Sequence, residues 1–106
     1  MGHEHTYVAS TLHQLGALLQ ERGALKEAED LFRASLRINE KILGHTHVDV
    51  AATLTELGRV LQERGAMKEA EDLYRESLRI NQKILGHEHR EVAATLHEFG
   101  WLLQER

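Results

Sequence analysis

Apolar residues recur along this chain at the spacing of helices that bury one face. In the first such stretch, Val8, Leu12, Leu15 and Leu19 are separated by three or four residues, which places them along one helical stripe. Polar residues fill the positions between them. This pattern predicts a helix over residues 7–22.

Glycines divide the rest of the chain into further helices. Gly23 and Gly65 follow one kind of helix, and Gly44 and Gly86 follow the other, each at a place that suits the left-handed conformation of a helix end. The apolar pattern between these glycines keeps the helical period. The sequence therefore predicts five helices, over residues 7–22, 25–43, 49–64, 67–85 and 91–106.

A Gly-His-x-His segment marks an internal repeat, because it begins at residues 2, 44 and 86 and so recurs every 42 residues. Each full unit holds two helices, which we call the A helix and the B helix. Repeats of this length are typical of stacked arrays in which each unit packs on its neighbours. We expect a single domain over residues 1–106, made of unit 2–43, unit 44–85 and half unit 86–106.

Each A helix has a glycine in its interior, at Gly16, Gly58 and Gly100. A glycine at such a place costs about 1 kcal/mol relative to alanine, so three equivalent ones indicate a reason. We expect close approach of the paired B helix, with Ala28 and Ala70 as its small contact residues. A flexible kink is the alternative.

One set of small and apolar positions repeats in every unit. Counted from Ala51, the second unit has them at Leu54, Leu57, Gly58, Leu61, Gly65, Ala70 and Tyr74, which is the spacing of a tetratricopeptide motif. The matches are Leu12, Leu15, Gly16, Leu19, Gly23, Ala28 and Phe32 in unit one, and Leu96, Phe99, Gly100 and Leu103 in the half unit. The whole chain thus resembles the tetratricopeptide repeat (TPR) family, and its period, longer than the usual ~34 residues, resembles that of the kinesin light chain subtype. The resemblance implies an all-α, right-handed αα-hairpin solenoid of five helices and about two and a half repeats.

The resemblance also implies where a partner would bind, because in that fold the A helices line a concave groove. The groove positions are Ser10, His13, Ala17 and Gln20 in unit one, Ala52, Thr55, Arg59 and Gln62 in unit two, and Ala94, His97, Trp101 and Gln104 in the half unit. Their spacing places each set on one face of its helix. Two of these columns change chemistry between units, whereas the core leucine columns stay constant. Such variation is typical of a recognition surface and equally of a solvated face.

Three kinds of side chain would give this groove its chemistry. Trp101 is its large aromatic residue and Arg59 its cation, and both residue types are frequent anchors of protein interfaces. Trp101 has a second interpretation, in which it covers an open end of the array. Glu21, Glu63 and Glu105 would form a row of carboxylates, which favours a partner with basic residues and equally suits a solvated face.

Composition narrows the functions that are open to this surface. The net charge is −4, and basic residues alternate with acidic ones, as in Lys26-Glu27, so a nucleic-acid surface is not expected. The absence of cysteine excludes disulfides and thiol nucleophiles, and no apolar run approaches the ~20 residues of a membrane span. Known catalytic and nucleotide-binding motifs are missing. We predict a cytoplasmic protein that is not an enzyme, needs no cofactor and binds a protein or peptide, with no nucleic-acid or membrane partner.

Histidines pair at the start of each unit, as His3/His5, His45/His47 and His87/His89. Imidazoles two residues apart can chelate a divalent ion, but a structural zinc site needs more ligands than one pair supplies. The alternative is that these histidines cap helices or pack in loops. We predict no metal site.

The last A helix is followed by no B helix in this sequence, which leaves an apolar surface of Leu96, Phe99, Leu102 and Leu103 uncovered. We therefore predict self-association through this helix and a homo-oligomer. The functional prediction is a protein–protein interaction scaffold that binds a peptide or helix in the A-helix groove. The alternative is an engineered or excised repeat array without an evolved ligand, whose property is folding and self-assembly.

Overall fold

The computed structural model describes residues 2–86 and 90–105, and this part of the chain forms five helices. They are α1 (Gly2–Glu21), α2 (Leu25–Leu43), α3 (Val48–Glu63), α4 (Met67–Leu85) and α5 (Arg90–Glu105). The all-α class and the bounds predicted for both B helices, α2 and α4, are confirmed. None of these described helices has the length and apolarity that crossing a bilayer requires.

The first Gly-His-x-His segment is helical, contrary to the loop that its repeat equivalents predicted. Helix α1 already begins at Gly2 and includes His5. The segment from 44 to 47 has to turn the chain from α2 into α3, and Gly44, with φ of 85°, ends α2 there. Residues 2–6 make no such turn and contain no proline that would stop a helix. The pair His87/His89 lies outside the described residues.

His47 forms the N-cap of α3. Its backbone is extended, and its Nδ1 accepts a hydrogen bond from the Asp49 amide at 3.0 Å, which satisfies one of the free amides of the first helical turn. His45 lies instead beside Glu40, with 3.1 Å between Nδ1 and Oε2. The alternative that the loop histidine caps a helix is therefore confirmed for His47. The described residues bring no three His, Asp or Glu side chains together around a possible metal position.

The helices stack in chain order. Helices α1 and α2 form one hairpin and α3 and α4 the next, while α2 against α3 and α4 against α5 join the units. Only slight contact links α1 to α3 or α3 to α5, so the A helices lie side by side with a shallow space between them. The result is an elongated array of 43 × 33 × 19 Å, as expected of a solenoid in which each unit contacts its neighbours.

The interior glycines of α1 and α3 allow close packing of an aromatic ring. Phe32 and Tyr74, each fully buried, lie on the backbone of Gly16 and Gly58. A Cβ added to Gly16 would lie 3.1 Å from a ring atom of Phe32, and one added to Gly58 would lie 2.6 Å from a ring atom of Tyr74. Close approach of the B helix is therefore confirmed for these two units.

The groups nearest to these two glycines are the aromatic rings, and Ala28 and Ala70 are buried in the same core cluster. One detail of the prediction is wrong. Gly100 meets nothing, because a Cβ added there would have no heavy atom within 4 Å. The described chain places no B helix on that side of α5.

Candidate functional site

A cleft of about 350 Å³ opens between the A helices α3 and α5. The residues that line it are Arg59, Gln62, Glu63, His97, Glu98 and Trp101. Four of them belong to the groove columns expected from the sequence, and Glu63 belongs to the expected carboxylate row. Glu98 is an addition that the groove columns did not include.

Arg59 is held between carboxylates of two helices. Its Nη1 donates to Oε1 of Glu56 at 2.7 Å on α3, and its Nη2 lies 3.2 Å from Oε1 of Glu98 on α5. Its Nε is buried and has no hydrogen-bond partner among the described residues. The guanidinium is thus fixed as an internal counter-ion that links α3 to α5. The pair of Glu56 and Arg59 can be predicted from the sequence, because residues three apart on a helix are neighbours. The pair of Arg59 and Glu98 cannot, because it depends on how the helices stack.

The charge balance of this cleft is negative. Glu63 and Glu98 line the cleft with one guanidinium, that of Arg59, which is already paired with Glu56 on α3. Carboxylates in a partly enclosed site attract cations more strongly than they do in open water, because the local dielectric is lower. The cleft therefore favours ligands with positive charge.

Trp101 forms an apolar wall beside these carboxylates. Its side chain is 53% exposed, and it lies one helical turn from Glu98 on the same face of α5. An indole offers a large apolar area, a ring face that attracts cations and one N–H donor. Half of this surface is available to a ligand.

A second, smaller cleft of about 220 Å³ lies between α1, the end of α2 and the start of α3. The residues that line it are Thr6, Ser10, His13, Asn39, Asp49, Ala52 and Thr53. Three of these, Ser10, His13 and Ala52, are expected groove residues. Six of its seven lining residues are polar, and the cleft continues the space between neighbouring A helices toward the first unit.

His13 is partly withdrawn from the cleft. Its Nδ1 lies 3.1 Å from Thr53 Oγ1, and its ring packs edge-to-face with the Phe32 ring at a centroid distance of 5.2 Å. Burial lowers the pKa of His13 below its usual value of 6.5, and the charges of Glu56 and Asp49 offset part of that effect. The imidazole is therefore held in its neutral form near pH 7.

Other predicted groove residues have different places. Thr55 is buried, and its Oγ1 bonds to the Ala51 carbonyl oxygen and to Ser77 Oγ on α4, so the prediction that it lines the groove is wrong. Gln20 donates to Glu63 Oε1 at 3.0 Å and ties α1 to α3. Ala17 packs against the core. Ala94, Gln104 and Glu21 are exposed and line neither cleft. The side chain of Glu105 lies outside the described residues.

The apolar surface predicted on α5 is smaller than expected. Leu102 is fully buried in the core with Leu57 and Leu61, so its place on an uncovered surface is wrong. The same cluster includes Ala70 and Tyr74 of α4, the helix that precedes α5. Phe99 is half-buried under Arg75, whose guanidinium carbon lies 4.8 Å from the ring centroid. Leu96 and Leu103 remain about half exposed, at 49% and 48%.

Comparison with known proteins agrees with the repeat architecture. The family model described as tetratricopeptide repeat matches residues 7–83 and again 49–106. Among solved structures, a Podosopora anserina protein assigned as a kinesin light chain with nearly identical TPR-like repeats is 30% identical, with a TM-score of 0.83 over 91% of this chain and 46% of its own. A variant of that protein with one substitution is 28% identical, with a TM-score of 0.75 over 91% of this chain and 45% of its own.

A further structure shares the fold at lower identity. BtubC (BKLC) from P. vanneervenii is 21% identical, with a TM-score of 0.87 over 92% of this chain and 38% of its own. The chain thus spans less than half the length of each of these solved structures. No curated protein sequence matches it at a significant level.

Proposed function

Because this chain belongs to the tetratricopeptide repeat family, whose members are generally scaffolds for protein interactions and not enzymes, we propose that the cleft between α3 and α5 binds a partner peptide with basic residues. The observation that carries this proposal is the placement of half-exposed Trp101 beside the carboxylates around Arg59. A lysine or arginine of the partner would lie between the indole face and Glu98. It would gain a cation–π contact and an ion pair together.

Arg59 has a defined role in this proposal. Its guanidinium neutralises Glu56 and Glu98 while the cleft is empty, so an incoming cation competes with it for the same oxygens. Arg59 is therefore a counter-ion of the free protein and not an anchor for the ligand. Its removal is expected to tighten the binding of a basic peptide, whereas an anchoring role predicts weaker binding.

A pair of peptides that differ only in charge tests the proposal. An alternating lysine–alanine octapeptide and its glutamate–alanine counterpart are titrated into the protein, and binding is followed by calorimetry and by emission of Trp101, the only tryptophan. We expect the basic peptide alone to bind, with an affinity that falls as salt increases. Trp101→Ala is expected to weaken binding about ten-fold or more, as loss of an aromatic anchor does.

Substitutions of single carboxylates separate the cleft from general surface charge. Glu98→Gln is expected to weaken binding of the lysine peptide and Arg59→Ala to strengthen it. Glu27→Gln, which removes an exposed carboxylate from the opposite B-helix side, is the matched control and is expected to change little. Equal binding of both peptides, or indifference to Glu98→Gln, would contradict the proposal and leave a folding array without a groove ligand.

Self-association through α5 is a second candidate function. It is favoured by the exposure of Leu96 and Leu103, which are separated by two helical turns on one face. Sedimentation at increasing protein concentration checks it, with a rising average mass expected. A clean monomer at the highest concentration would rule it out without affecting the peptide cleft.

A further inference from the structure

Helix α5 repeats much of the surface with which α1 holds α2. The six matching pairs are Ala9 and Ala93, Leu12 and Leu96, His13 and His97, Gly16 and Gly100, Leu19 and Leu103, and Gln20 and Gln104. In α1 the part of this surface formed by Ala9, His13, Gly16 and Leu19 packs on the B helix α2, whereas Gln20 bonds to Glu63 of α3. We call the same six residues of α5 the α5 socket.

The contacts of α2 with the α1 surface show which side chains such a surface binds. The ring of Phe32 lies on the backbone of Gly16, 3.1 to 3.2 Å from where a Cβ would stand, and it packs edge-to-face with the His13 ring. Three residues further on, Ser35 Oγ donates to the Ala9 carbonyl oxygen at 2.7 Å. The contacts come from the pattern Ala-x-x-x-Phe-x-x-Ser, which begins at Ala28. Helix α4 carries the same pattern with Tyr74 in place of the phenylalanine.

The α5 socket is formed but uncovered in the described part of the chain. Gly100 has no atom within 4 Å of an added Cβ, in contrast to Gly16. Ala93 is exposed, whereas Ala9 is fully buried. Leu96 and Leu103 are 49% and 48% exposed, whereas the equivalent leucines of α3, at positions 54 and 61, are 4% and 2% exposed.

We propose that the α5 socket docks an amphipathic partner helix of the α2 type, with the pattern Ala-x-x-x-Phe-x-x-Ser and its phenylalanine ring on Gly100. The interface between α1 and α2 is the template, because all six socket residues are identical in α1. His97 favours phenylalanine, since its equivalent His13 packs edge-to-face with Phe32, whereas the tyrosine of α4 pairs with a unit that has threonine in the histidine column. Phe99, the neighbour of Gly100 in the chain, is turned toward Arg75 of α4 and does not cover the glycine. The inference does not require self-association or the α3–α5 peptide cleft.

A labelled peptide with the α2 sequence, residues 24–44, tests the socket by fluorescence anisotropy with the full chain. We expect saturable binding to the intact protein. The same peptide with the Phe32→Ala change is expected to bind about ten-fold more weakly or worse, because it leaves the glycine surface unfilled.

Gly100→Ala is the decisive protein variant. The new methyl group meets nothing in the free protein, so the variant is expected to fold at least as well as the parent by circular dichroism. The methyl group occupies the position where the phenylalanine ring of the partner helix would pack, so the affinity for the peptide is expected to fall about ten-fold or more. Thr11→Ala, an exposed change on α1, is the control and is expected to leave docking unchanged.

Three results would overturn the proposal. The first is no saturable binding of the α2 peptide to the parent protein. The second is equal binding to Gly100→Ala, which would show that the peptide docks elsewhere or displaces α2 from α1. The third is a dimer that forms without peptide and is unaffected by Gly100→Ala, which would show that a second copy covers α5 by other contacts. If Gly100→Ala failed to fold, the comparison of the phenylalanine and alanine peptides would decide.

Discussion

Helices α3 and α5 carry many of the same residues and nevertheless differ in what they bury. Val50 and Val92 are both buried, at 1% and 0% exposure, and each belongs to an A helix that has a B helix before it. Leu61 and Leu103 differ, at 2% and 48%, because only α3 has a B helix after it in the described part of the chain. An A helix therefore has two separate packing faces, and each is buried only if its own neighbour is present.

Helix α1 presents the opposite case. Val8, the equivalent of Val50, is 47% exposed, whereas Ala9, on the face toward α2, is fully buried. Leu15 and Leu18 are also more than two-fifths exposed, at 44% and 43%. Helices α1 and α5 thus expose different faces of the same repeated A helix. A side chain at an equivalent position is buried and stabilising in one unit, and exposed and contributing little in another.

Truncation of the paired leucines is expected to give the largest difference. Leu61→Ala removes a buried side chain and is expected to lower the free energy of unfolding by about 2–5 kcal/mol. Leu103→Ala removes a half-exposed one and is expected to cost about 1 kcal/mol or less. Urea denaturation followed by circular dichroism measures both. Equal losses would mean that the outer face of α5 is covered in solution.

Alanine at the interior glycines is expected to have opposite signs in the two helices. Gly58→Ala would place a Cβ 2.6 Å from the Tyr74 ring, and the resulting repacking is expected to exceed the gain in helix propensity, for a net loss of about 1–2 kcal/mol. Gly100→Ala meets no neighbour and is expected to gain up to about 1 kcal/mol. The same denaturation experiment applies, and a destabilised Gly100→Ala would contradict the open face of α5.

The histidine column is expected to give the smallest effect, visible as a dependence on pH. The pKa of His13 is lowered in the folded protein by burial, so the unfolded chain binds the proton more readily. The stability that the neutral imidazole provides is present above pH 6.5 and is lost as the pH falls through the folded pKa. We expect His13→Gln to flatten the stability profile in this range. The exposed equivalent, His97→Gln, is the control, and an identical flattening there would contradict the difference between covered and uncovered units.

The helices could be predicted from the sequence because their signals are local. The bounds of α2 and α4 follow from a helical apolar period that ends at Gly44 and Gly86, and both signals act over a few residues. The start of α1 was missed because the repeat marker forms a loop only where the chain turns between two helices. A repeated segment does not need the same structure in every unit.

The site could be predicted only in part, because the direction of a side chain depends on the neighbouring helices. Leu102 and Leu103 are adjacent in sequence, and no local signal indicates that the first is buried in the core with residues of α3 and α4 while the second is half exposed. Thr55 lies in a groove column and yet bonds to Ser77. The pair of Arg59 with Glu98 joins residues of different units, so it depends on how the helices stack and has no local signal in the sequence.

The stacking of helices in chain order has a consequence for how the protein folds. Nearly all packing joins helices that are consecutive along the chain, and the connections between them are short. The chain therefore closes only short loops to reach its native contacts, which keeps the entropic barrier low and favours rapid folding. Either hairpin is able to form first and serve as the surface on which the other helices add, so the order of assembly is set by the relative stability of the units and not by a single nucleus.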